Sequence, residues 1–207
     1  MEFSNITMII YIEQIKSYYR SQAGDALATT TSTSTSHRKH FPNDNQVFIG
    51  VSFIDCMSGA NGIMAINNST VSDISIPFDE LLKLLTIKNP KELIIYVQNY
   101  DGLEDEELIN ALHLFNYQFK IIRELIDESK YTNLFYQSKL LESVYVKHKG
   151  ILDILQQLDI EGAEHNYSRI ALTLLLEFVL NHDKTVIDKL ERPEIIINND
   201  KYLMLAN

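Results

Sequence analysis

Val47 to Ile66 reads VFIGVSFIDCMSGANGIMAI. Val47, Ile49, Val51 and Phe53 recur at every second position, between residues that include small and polar ones, which is the period of a β-strand. Ile54 completes the apolar run. Ser58-Gly59-Ala60-Asn61-Gly62 has turn composition, with two glycines available for positive φ. Ile63, Met64, Ala65 and Ile66 resume as a second strand. The stretch is therefore predicted to be a β-hairpin, central in its sheet because both arms are apolar. Asp55, at the end of the first arm, is the one residue within it suited to chemistry.

The rest of the chain can supply a real core around this hairpin. It has 207 residues, 45% hydrophobic and 22% charged, the balance of an ordinary globular protein. Acids outnumber bases 28 to 18, for a net charge of −10. Duplexes are held mainly by Lys and Arg on phosphates, so this balance argues against unaided nucleic-acid binding, and any DNA role must be indirect. The single cysteine, Cys56, offers no disulfide and reads as a small core hydrophobe. There is no signal peptide and no apolar run near the ~20 residues that span a bilayer, so the chain is expected to be intracellular, without a membrane partner.

Taken in order, residues 6–15 (ITMIIYIEQI) form a strand. Residues 17–45 lose all periodicity and contain TTTSTSTS, HRKH and Pro42-Asn43-Asp44-Asn45, the composition of a flexible linker. His37 and His40 are spaced i, i+3 but have no further ligands nearby, and read as a solvated basic patch. After the hairpin, Val71–Ile76 alternates as a third strand that Pro77 stops. Phe78–Leu85 has helical spacing. Leu93–Val97 (LIIYV) reads as a strand buried on both faces, Glu104–Phe115 as an amphipathic helix with acids in its first turn, and Phe119–Leu125 as a further strand. This is an α/β layout with a mixed sheet. Helices are predicted at Asn133–Lys147, Leu152–Leu158 and Tyr167–His182, the last with an apolar stripe through Ile170, Leu174 and Phe178; a short strand, EIIIN, follows. The abrupt apolar ending YLMLAN is expected of a chain cut inside a domain.

YQSKLLESVY (136–145), GILDILQQLDIE (150–161) and the block from Ser168 to Asn207 resemble the MutS family of DNA mismatch-repair proteins, at the passage from connector domain to helical core or lever domain. IGVSFIDCMSGANGI (49–63) is similar to the family's connector opening, and TMIIYIEQI (7–15) to the last strand of its mismatch-binding domain. A Ser/Thr run stands where the family has an Arg-rich turn and a Pro-Gly-Thr element. The resemblance implies four segments: 1–16 as a remnant of the mismatch-binding domain, 17–45 as linker, 46–130 as a ribonuclease-H-like connector, and 131–207 as the all-α, truncated start of the core. It implies a non-catalytic connector linking mismatched-DNA binding to an ATPase. Partners would be other parts of a MutS-like protein or a MutL-like protein, with homo-association possible through helix 167–182. ATP and Mg²⁺ belong to the full-length family. None of the seven glycines here opens a G-x-x-x-x-G-K-[ST] phosphate loop, so no cofactor is expected in this chain.

Two other classes remain open. A ribonuclease-H-like layout raises two-metal hydrolysis, which needs clustered carboxylates. The available triad for a metal-dependent nuclease is Asp55, Glu80 and Asp101, and where a strand-end acid would help, Gln98 and Asn99 stand instead; amides serve Mg²⁺ poorly. The plainer reading of Asp55 is a turn acid that accepts backbone N–H groups. The third class is an acidic interaction protein that binds mismatch-repair partners. Ser58 is no nucleophile elbow, since G-x-S-x-G is absent.

Overall fold

The computed structural model describes residues 5–16, 45–67, 75–100, 102–145 and 154–196. Its centre is a six-stranded mixed sheet. The strands are β1 (Ile6–Lys16), β2 (Asn45–Asp55), β3 (Asn61–Asn67), β4 (Glu92–Gln98), β5 (Gln118–Ile122) and β6 (Glu194–Ile196), in the spatial order β5-β4-β1-β2-β3-β6. β2 pairs antiparallel with β1 and β3, and the remaining pairs are parallel, so β2 alone runs against the others. The fold is mixed α/β, as expected.

Side-chain alternation divides the core into two layers on opposite faces of the sheet. On one face, Met8, Ile10 and Ile12 of β1 join Val47, Ile49, Val51 and Phe53 of β2 under α1 (Ser75–Lys88) and α2 (Asp105–Ala111). On the other, Ile9, Tyr11, Ile54 and Ile63 meet α4 (Leu134–Val144), α5 (Ile154–Gln157), α6 (Asn166–His182) and α7 (Lys184–Ile187). A four-residue helix, α3 (Glu128–Tyr131), leads into α4.

The hairpin and LIIYV form strands where they were expected, and Phe119–Leu125 shortens to β5. Four further features stand out. First, residues 6–16 lie inside the sheet. Every residue from Thr7 to Ile12 is buried, on both faces alternately, and β1 runs the full length of β2 on one side and pairs with β4 on the other. A strand apolar on both sides must be interior, and this one is. Second, Ser75 and Ile76 belong to α1 rather than to a third strand; Pro77 sits in that helix's first turn, where its missing N–H leaves nothing unpaired. The remainder of that expected strand, 71–74, and the expected linker, 17–44, lie outside the described residues. Third, elements on both sides of the expected 130/131 boundary pack together: α6 lies across β1, β2 and β3, and β6 extends the same sheet beside β3. Fourth, Ile170 and Leu174 of the α6 stripe are buried on the chain's own sheet, with Phe178 packed beside them.

Candidate functional site

Asp55 ends β2 opposite Ile6, at the end of the sheet where β4 begins with Glu92 beside Thr7. Its carboxylate accepts the Met57 N–H at 2.9 Å and the Ser58 hydroxyl at 2.8 Å. These bonds, the Met57 amide first, hold its pKa below the ordinary Asp value. The backbone closes the same turn, with the Asp55 N–H on the Ala60 carbonyl and the Gly59 N–H on the Asp55 carbonyl, both at 2.8 Å. Asp55 is thus the turn acid of the β2–β3 hairpin.

Glu80 is half-buried on α1. Asp101 lies outside the described residues, but the strand leading to it ends at Gln98, beside Glu13 and at the opposite end of the sheet from Asp55. Six residues of strand separate those ends, roughly 20 Å. Gln98 itself is committed to structure: its amide donates to the carbonyls of Val97 and Glu124 and accepts the Ile126 N–H. Among the described residues, no three Asp, Glu, His or Cys side chains stand close enough to hold a metal ion.

What the structure does gather is a polar seam between the sheet and the helices across it. Gly50 lies under the start of α6, so close that a Cβ there would stand 1.9 Å from the Tyr167 carbonyl oxygen. The Tyr167 ring stacks on Phe48 at 4.8 Å and on Tyr11 at 6.1 Å. Burial, with the Glu13 carboxylate nearby, pushes the Tyr167 hydroxyl up to about 12.

Two residues further along α6, Arg169 is only 4% exposed. Its guanidinium donates to Gln137 Oε1 at 3.0 Å and to the carbonyls of Ile160 and Gly162 at 2.5 and 2.6 Å. Gln137, wholly buried on α4, passes the network on by donating to the Tyr131 carbonyl at 2.6 Å. Burial lowers the Arg169 pKa. At the other end of the seam the Tyr145 hydroxyl donates to Asn61 Oδ1 at 3.0 Å, and Asn61 donates to the carbonyls of Gly59 and Glu191. Gly59, at φ +83°, presses against the Lys189 carbonyl and accepts the Glu191 N–H through its own carbonyl, where only glycine fits. The hairpin turn is thereby fastened to the segment that leads into β6.

Sequence reasoning passed over Arg169, Gln137, Asn61 and Tyr145. Arg169 was detectable: a charge inside SRIALTLLL, an otherwise apolar helical run, marks a buried cation that must have partners. Gly50 was detectable too, since a glycine in a strand interior often marks a close backbone approach.

No protein-family model matches the chain. The chain is similar to a protein of Acanthamoeba polyphaga mimivirus named as a homolog of the DNA mismatch-repair protein mutS, with 26% identity over 183 residues. The match covers 80% of this chain and 16% of the viral protein, so the chain spans about a sixth of its relative. At that level the chain is similar to a MutS homolog over most of its own length. Among the described residues, no helix is long and apolar enough to cross a membrane.

Proposed function

We propose that this chain is a non-catalytic connector module of the MutS type, acting inside the cell to couple parts of a mismatch-repair machine. The observation that carries this reading is the similarity to the viral mutS homolog, which extends over 80% of the chain instead of one motif. Two features support it. Strands β5-β4-β1-β2-β3, with β2 alone reversed, follow the order of a ribonuclease-H-like fold, the fold that the resemblance implies for the connector. On this reading β1 and α4 to α7 belong to the connector unit, beside residues 46–130. Of the positions that a nuclease of this layout would use, Asp55 is tied into its turn and the β4 end carries Gln98 and Asn99. DNA contact would be indirect, given the net charge of −10. ATP and Mg²⁺ would be bound elsewhere in the machine, and its other parts or a MutL-like protein would be the partners.

Two measurements test this. The purified chain should neither hydrolyse ATP nor cleave nucleic acid with Mg²⁺ or Mn²⁺; cleavage abolished by Asp55→Asn would replace this reading with the nuclease. Residues 5–196, grafted in place of the matching segment of the viral relative, should preserve whatever response to mismatched DNA the unaltered relative shows. A chimera that folds cooperatively but has lost that response would sink the connector role.

A further inference from the structure

A second polar cluster lies apart from the hairpin turn, where α3 and α4 meet α6. The rings of Tyr131 and Tyr136 stand perpendicular, at 86° and 6.4 Å between centroids. Glu177 of α6 closes the third side, accepting both tyrosine hydroxyls, the one from Tyr131 at 2.6 Å. An ammonium group already occupies the space between them. Lys130 Nζ sits 4.7 Å from the Tyr131 ring centre, 4.8 Å from that of Tyr136, and 2.6 Å from Glu177 Oε1.

Two electron-rich faces and a carboxylate around one cation is the arrangement that recognises alkylammonium groups. Burial alone would raise the Glu177 pKa, but the bonds from Lys130, Tyr131 and Tyr136 outweigh it and keep the carboxylate ionised. The walls also have contacts that do not involve Lys130. Tyr131 is anchored by Gln137 through its carbonyl and by Glu177 through its hydroxyl, and Tyr136 rides on α4. Lys130 is the movable part: its side chain is 36% exposed on a four-residue helix with no buried side chain, so it can swing into water without moving a packed element.

We propose that Tyr131, Tyr136 and Glu177 form a recognition site for a lysine side chain of a partner protein, held shut in the free chain by Lys130. A protein partner is favoured over a free amine because exposed apolar residues adjoin the cage in sequence at the start of α4: Leu134 is 47% and Phe135 71% exposed. Such residues around a charged anchor are the rim that a protein surface would cover. The chain's net charge of −10 also favours a basic partner. The inference does not rest on the mismatch-repair reading and can fail or stand without it.

The test uses tyrosine fluorescence, which is unobscured because the chain has 11 tyrosines and no tryptophan. Tetramethylammonium and Nα-acetyl-lysine amide are titrated into wild type, Lys130→Ala and Lys130→Ala/Tyr136→Leu. Lys130→Met serves in place of Lys130→Ala should the smaller side chain compromise folding, which circular dichroism checks. The open variant should respond saturably to both probes. Wild type should need at least tenfold more probe, because its own lysine must first be displaced. The double variant should not respond. A folded open variant without a saturable response would reduce the cluster to a structural clamp. Equal responses from wild type and the open variant, or a response that survives Tyr136→Leu, would likewise overturn the proposal. A response to tetramethylammonium but not to the lysine amide would keep the ammonium chemistry and overturn the lysine partner.

Discussion

The two faces of the sheet are held by different physics. Under α1 and α2 the contact is almost wholly apolar: Met8, Ile10, Ile12, Val51, Leu81 and Leu85 fill it. The opposite face is equally rich in Leu and Ile but is threaded by Arg169, Gln137, Asn61 and Tyr145, all buried and hydrogen-bonded. Apolar burial is non-directional and tolerates sliding; hydrogen bonds between named atoms fix one position. The first face therefore supplies stability, and the second also sets where α4 to α7 sit on the sheet. A module that relays position between neighbours would use the second face for it.

The largest expected effect comes from removing that face. Deleting residues 165–207 takes away α6 and with it seven buried apolar side chains, from Ile170 to Val179. Apart from Ala171, each contributes roughly 1.5–3 kcal/mol when buried, against a net stability of about 5–15 kcal/mol for a whole domain. The truncated chain should show no cooperative thermal transition. If it melted cooperatively with its sheet intact, the two faces would be separate units and the boundary near 130 would return.

Matched cavities sharpen the comparison. Leu81 and Leu175 are both fully buried, one on each face. Replacing either with alanine should cost about 2–5 kcal/mol in urea unfolding. Similar costs are expected, because the apolar share of the two faces is alike; a much smaller cost at Leu175 would mean that α6 packs loosely.

The faces part company at Arg169. Arg169→Met keeps the volume but strands Gln137 Oε1 and the carbonyls of Ile160 and Gly162, for about 3 kcal/mol in all. Adding Gln137→Leu should recover part of the loss, since replacing both members of a buried polar pair is far milder than orphaning one. A double variant no better than the single one would show that the network is not coupled.

The same division decides what could be read from sequence. Period-2 and period-3.6 patterns located β2, β3, β4, α1 and α6, because each buries residues that are neighbours along its own segment. They could not place β1. Its pairing with β4 joins residues 85 positions apart, as in the Thr7–Glu92 bond, and periodicity carries no information about such partners. Asp55 as a turn acid was legible from its local context, Asp-Cys-Met-Ser-Gly. The seam was not: Asn61 donates to a carbonyl 130 residues away. Mixed composition hid it further, since Gln137 lies in α4, with Tyr145 just past its end, and that segment also carries Tyr136 and Ser138, which are less buried.

The smallest effect tests Asp55 as structure. Its two side-chain hydrogen bonds stabilise a turn that is exposed on one side and fastened to Glu191 on the other. Asp55→Ala should cost about 1 kcal/mol at neutral pH. The folded carboxyl has a pKa below its unfolded value of 3.8. Its contribution is therefore fully present above that value and is lost as pH falls through the lower, folded pKa. Stability difference curves for wild type and Asp55→Ala, measured by urea unfolding, should run parallel from pH 7 to pH 5 and converge below about pH 3.5. Asp55→Asn keeps an acceptor for the Met57 N–H without the charge, so it should fall between the two at neutral pH. Curves that instead diverge on acidification would mean that Asp55 is held protonated against another acid, the behaviour of a clustered carboxylate, and would return this residue to the list of candidate catalysts.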